Sequence, residues 1–238
     1  ALNRAKRMGI SKEQLGKIFG KQNYDDVKDY ILNIVDERYR TEQEKLEYSC
    51  VEYQKSWNEM NKTFSERVKE ITGYDWKFDE YYVVLSPFHP GITNRKENKV
   101  IRWTKNSPMQ QRRITAHELL MTHIYYVFDR TGLSGFGKTQ NTALESYYDE
   151  PGDEYRLKHL WALCEITSVG ILSLEDDLNQ LWTKGWRGYE HMLANYKQLD
   201  KLKLELILIY KDKENFMDYL AKAVHHMKKN YPDENFSF

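Results

Sequence analysis

Ile114-Thr115-Ala116-His117-Glu118-Leu119-Leu120-Met121-Thr122-His123 is the stretch on which the reading of this chain turns. It follows Ser107-Pro108-Met109-Gln110, where Ser can cap a helix, Pro takes the first helical position and Gln sits three residues after the cap. A helix is therefore predicted from there to about Phe128. On it His117 shares a face with Ile114, Met121, Ile124 and Tyr125. His123, six residues beyond His117, lies roughly 120° around a regular helix. Two imidazoles so placed reach a common ion only if the helix bulges or ends after Leu120.

Further along, His159-Leu160-Trp161-Ala162-Leu163-Cys164-Glu165 opens an almost wholly apolar run continued by Ile166, Val169 and Ile171. This predicts a helix over about Leu157 to Leu172 that carries one carboxylate, and a carboxylate buried there needs a partner. Ser173 begins a further short helix, and three-and-four spacing resumes from Tyr189 to Asn230.

Before the His117 helix, Tyr81-Tyr82-Val83-Val84-Leu85 and Lys99-Val100-Ile101-Arg102-Trp103 read as two short strands that can pair. They are separated by Ser86-Pro87-Phe88-His89-Pro90-Gly91 and a polar turn from Asn94 to Asn98. Still earlier, Asp25 to Thr72 contains neither Gly nor Pro, and Val27, Ile31, Ile34, Leu46, Cys50, Tyr53, Trp57, Met60, Phe64, Val68 and Ile71 step by three and four. One very long helix, or two in series, is expected, closed by Gly73 as a C-terminal cap. The expected fold is α+β and predominantly helical, with a small sheet packed beside the His117 helix. It forms a single domain with long helices over 1–75, a core over 76–175 and further helices over 176–238.

The order strand, Pro/Gly loop, strand and histidine helix makes residues 76–175 resemble the zincin metallopeptidases, whose helix carries HExxH. Glu165 on the following helix is similar to the third ligand of the gluzincin subgroup. The resemblance implies a zinc-dependent peptidase acting on a peptide or protein. In it His117 and Glu165 hold the metal, His123 joins them through a distorted helix, and Glu118 serves as general base on the metal-bound water. Tyr147 or Tyr148 would stabilise the developing oxyanion.

This sequence departs from the family where Met121 stands in place of the second histidine. A thioether is a soft ligand, ill matched to zinc beside imidazole and carboxylate. The same residues thus fit a second expectation, a catalytically inactive zincin-derived binding or structural domain. Each has an ordinary reading too: His117 as a hydrogen-bonded core histidine, Glu118 as a surface acid, His123 as a structural residue.

Gly132-Leu133-Ser134-Gly135-Phe136-Gly137-Lys138-Thr139 satisfies the phosphate-loop pattern GxxxxGK[ST]. That loop works when a buried strand runs into its first Gly and a helix starts at its Lys-Thr end. Here the preceding segment reads as helix, so a chance match in a Gly-bearing loop is the preferred reading and a nucleotide-binding protein the third alternative.

Composition narrows the field further. Lys and Arg number 36 against 36 Asp and Glu, so net charge gives no footprint for nucleic acid or anionic membrane. The 18 Tyr, 6 Trp and 9 Phe supply enough apolar surface for an ordered core. Cys50 and Cys164, far apart, are expected as buried thiols rather than a disulfide or a cysteine metal site. No apolar run approaches the roughly 20 residues of a membrane span, and the opening residues lack a signal-peptide core, so a cytoplasmic location is expected.

Overall fold

A computed structural model describes residues 10–19, 25, 27–88, 91–94, 97–104, 106–131, 153–179 and 197–232. Helices α1 (Lys12–Phe19), α2 (Lys28–Thr41), α3 (Gln43–Asn58) and α4 (Asn61–Thr72) lead into strands β1 (Tyr82–Ser86), β2 (Gly91–Asn94) and β3 (Lys99–Trp103). Helices α5 (Pro108–Thr131), α6 (Asp153–Leu174), α7 (Asp176–Asn179), α8 (Lys197–Lys211) and α9 (Phe216–Asn230) follow. The protein is mostly helical with one small sheet, and no helix among the described residues is long and apolar enough to cross a membrane.

The uninterrupted apolar spacing over residues 25–72 resolves into three helices, not one or two. The chain turns at Glu42, whose φ/ψ of −106° and 11° lie outside the helical basin, and again at Met60 with φ −124°. Neither turn uses Gly or Pro, which is why composition did not reveal them. Burial of Met60, Phe64 and Val68 against the rest of the core sets the second bend. Gly73 closes α4 in the left-handed region at φ 76°, its amide reaching the Lys69 carbonyl, as its position predicted.

Strands β1 and β3 pair in parallel, Val83 opposite Val100 and Leu85 opposite Arg102. A third strand, β2, lies antiparallel on the other side of β3, so the order is β1-β3-β2. The sequence places Gly91 in a loop and Asn94 in a turn, and Ile92 and Thr93 between them are too short a β-branched run to predict a strand.

Helix α5 is the axis of the molecule. Its start is the expected capping box: the Gln110 amide donates to Ser107 Oγ at 3.3 Å, and the Ser107 amide to Gln110 Oε1 at 3.1 Å. From Gln111 to Phe128 nearly every side chain is buried, with α3 and α4 on one flank, β3 on another and α6 on a third. Buried polar groups on such a helix must be matched. Gln111 donates to Thr115 at 3.2 Å, Arg112 to Ser56 at 3.0 Å and also to Glu59, and Thr122 to the Glu118 carbonyl at 2.9 Å. Cys164 is buried as expected, whereas Cys50 is exposed on α3.

Candidate functional site

His117 and Glu165 come from helices that pack against each other, α5 and α6, and they meet: Nε2 of the imidazole lies 3.1 Å from Oε2 of the carboxylate. His117 is 1% exposed and Glu165 is 8% exposed, so little water can reach the pair. Each side chain is held from behind. Trp161, one turn before Glu165 on α6, donates its indole N–H to Oε1 at 3.1 Å. Ser168, one turn after Glu165, lies 2.9 Å from His117 Nδ1, and its hydroxyl donates to the Glu165 carbonyl at 2.9 Å.

A serine hydroxyl has one proton, and that proton goes to the Glu165 carbonyl. Ser168 Oγ therefore accepts from His117, which assigns the proton to Nδ1 and leaves Nε2 facing the carboxylate. A lone pair against a carboxylate oxygen at 3.1 Å is favourable only with a proton or a cation between them. This is also how a metal-binding histidine is set up, one nitrogen fixed by an outer partner and the other directed at the ion. The separation suits two ligands on a tetrahedral zinc, where bonds of about 2.0–2.1 Å place donor atoms a little over 3 Å apart.

The remaining expected ligand is not brought to this pair. Helix α5 runs without a break through His123, and the six-residue step turns that imidazole to the α4 side, away from α6. There Nε2 is 2.8 Å from Thr72 Oγ1, and the ring packs on Trp76 with centroids 4.7 Å apart. Thr72 donates its own proton to the Val68 carbonyl at 2.8 Å, so His123 is the donor and its Nδ1 lone pair is buried without a hydrogen-bond partner among the described residues. Burial in this apolar setting drops its pKa to about 4. The distorted helix needed to bring His123 to the metal is absent because continuous core packing on α5 holds the regular backbone.

Met121, one turn from His117, is buried in the core, 6% exposed. Glu118 points to the sheet: Thr93 on β2 donates to Oε2 at 2.6 Å, and the fully buried Arg102 on β3 brings Nη2 to 3.7 Å from Oε1. Among the described residues no group of three or more His, Cys, Asp or Glu side chains could hold a metal ion. The described side chains thus bring together two of the three expected ligands and not the third. Tyr147 and Tyr148, and the phosphate-loop match from Gly132 to Thr139, lie outside the described residues, as does His89.

Sequence reasoning singled out Glu165 by its burial but missed the two residues that orient the pair. Trp161 and Ser168 sit four before and three after Glu165, spacings that share a helix face, and that signal was available. Thr72, Thr93 and Arg102 gave none, because they reach the site from separate elements. No family model, curated protein or solved structure matches the chain, so the site rests on its own geometry.

Proposed function

We propose that this chain is a zincin-derived domain that works as a binding module rather than as a zinc peptidase. The observation that carries the reading is the unbroken course of α5, which commits His123 to Thr72 and leaves Met121 at the position of the second motif ligand. The kinship rests on the helix pair that still turns His117 and Glu165 toward each other at 3.1 Å, and on the sheet that flanks Glu118. Protein purified without added metal is expected to hold well under one zinc per chain by elemental analysis and to leave a mixed peptide library uncut. Stoichiometric zinc, with cleavage abolished by Glu118→Gln, would reject it.

That opposite outcome is the second reading, a working gluzincin-type peptidase. It is favoured by the proton assignment at His117 and by the indole and hydroxyl that fix both first ligands from behind.

A further inference from the structure

The face of α5 turned away from His117 borders a second feature. Thr115 and Leu119, each two residues from His117 and so roughly 160° around the helix, line a groove of about 1030 Å³ enclosed by β1, α3 and α4. That volume is at the top of the range for small-ligand clefts, roughly 300–1,000 Å³, and leaves room for a longer occupant. One wall is a chain of rings in contact: Trp57 with Phe64 at 5.6 Å, Phe64 with Trp76 at 5.8 Å, and Trp76 with Tyr81 at 5.8 Å.

The other wall is β1, an outer strand of the sheet that α3 packs against. The Tyr82 amide bonds the Asn98 carbonyl at 2.7 Å and the Thr104 amide bonds the Ser86 carbonyl at 3.3 Å, so the even-numbered residues of β1 face β3. In a parallel ladder the alternate residues then turn their main-chain groups outward. The Leu85 carbonyl accepts a bond from Tyr39 at 3.4 Å. The amide and carbonyl of Val83 and the amide of Leu85 face outward, where no described strand pairs with them. Tyr82, Val83 and Val84 are 54%, 39% and 42% exposed. Edge strands are usually blunted by charge, proline or a cover; Tyr-Val-Val-Leu-Ser has neither charge nor proline, and among the described residues its cover comes from Tyr39 and α3.

The groove is also acidic at its rim. Glu66, Asp75, Asp79 and Glu80 line it, against only Lys69 and Arg112. Lys69 is paired with Asp75, and Arg112 with Glu59 outside the groove lining. Glu66 lies 3.9 Å from Lys62, so Asp79 and Glu80 are the lining acids beside β1, in a segment that also carries Lys77.

We propose that this groove binds an extended basic segment of a partner protein, added as a strand to the Val83–Leu85 edge. Its apolar side chains lie on the Trp57–Trp76 wall and its Lys or Arg side chains face Asp79 and Glu80. Main-chain pairing would supply affinity, and the alternating side chains selectivity. The site shares no residue with the His117–Glu165 pair, so it stands or falls separately from the reading above.

Fluorescence anisotropy with a labelled seven-residue peptide alternating Lys with Val and Tyr tests it. Saturable binding is expected, weaker by at least about tenfold when Glu replaces Lys or when alternate peptide amides are N-methylated. Val83→Pro removes an outward amide while sparing the ladder to β3, and should weaken binding to the same extent at unchanged Tm. Asp79→Lys with Glu80→Lys should reverse the preference toward the Glu peptide. Equal affinity for the Lys and Glu peptides, or indifference to N-methylation, overturns the proposal whether or not the Val83 variant folds. Self-association abolished by Val83→Pro, with no peptide bound, assigns the edge to a second copy of the chain and likewise overturns it.

Discussion

His117 Nε2 and Glu165 Oε2 lie 3.1 Å apart across the α5–α6 interface, and each residue's far side is bonded to α6 itself or to its side chains. The spacing of a zinc ligand pair therefore exists in the fold before any metal is considered. Met121, one helical turn from His117, is where the proposed zincin kinship would put a second imidazole.

Met121→His is expected to complete the set, because it adds an imidazole one helical turn from His117 on the same face. Isothermal titration with zinc should show one tight site per chain in the variant, at least about a hundredfold stronger than in the natural sequence. Equal affinity in both proteins would mean that the 121 position does not face the His117–Glu165 pair.

Breaking the pair from either side should be costly. His117→Ala or Glu165→Ala removes a buried polar side chain and leaves its neighbour facing the space, and a loss of about 1–3 kcal/mol is expected for such a site. Urea unfolding of both single variants and the double variant measures it. Coupling of about 1–3 kcal/mol is expected, whereas additive effects would show that the two side chains do not interact.

Acid stability should report His123. Its pKa is about 4 in the fold against 6.5 in a solvated chain, so above pH 6.5 neither state binds the proton and the residue is neutral to stability. Between those values the unfolded chain takes up the proton and the folded chain does not, so stability falls as pH is lowered. The total loss from this residue is about 3 kcal/mol by pH 4. His123→Gln keeps an N–H for Thr72 and cannot titrate, so its urea-unfolding free energy should decline less over the same pH range. Parallel pH profiles would reject the assignment.

Gly73→Ala should lower stability by about 1 kcal/mol, the cost of a Cβ in the left-handed region. No atom lies within 4 Å of the added methyl, so the loss is one of backbone conformation alone. Thermal unfolding checks it; an unchanged Tm would mean that the turn after α4 readily leaves φ 76°.

Elements were legible where a local rule acts alone. Ser107 and Gln110 announced the start of α5 because the capping box is made within four residues. Glu165 stood out because a carboxylate in an apolar helix demands a partner. The bends at Glu42 and Met60 were hidden, since ordinary helix-forming residues occupy them and only packing selects the break. Strand β2 was hidden too, because four residues owe their extended form to pairing with β3.

By itself the sequence determined a mostly helical protein with a small sheet, the long helix carrying His117, and the six-residue offset that turns His123 away. These follow from helix geometry and hydrophobic period, which are local. Only the tertiary structure decided which face of that helix meets α6, that Ser168 and Trp161 aim the pair, and that among the described residues no strand pairs with the outer edge of β1 beside the aromatic groove. Those depend on contacts between residues tens of positions apart, whose pairing is set by competition among all ways of burying the core at once.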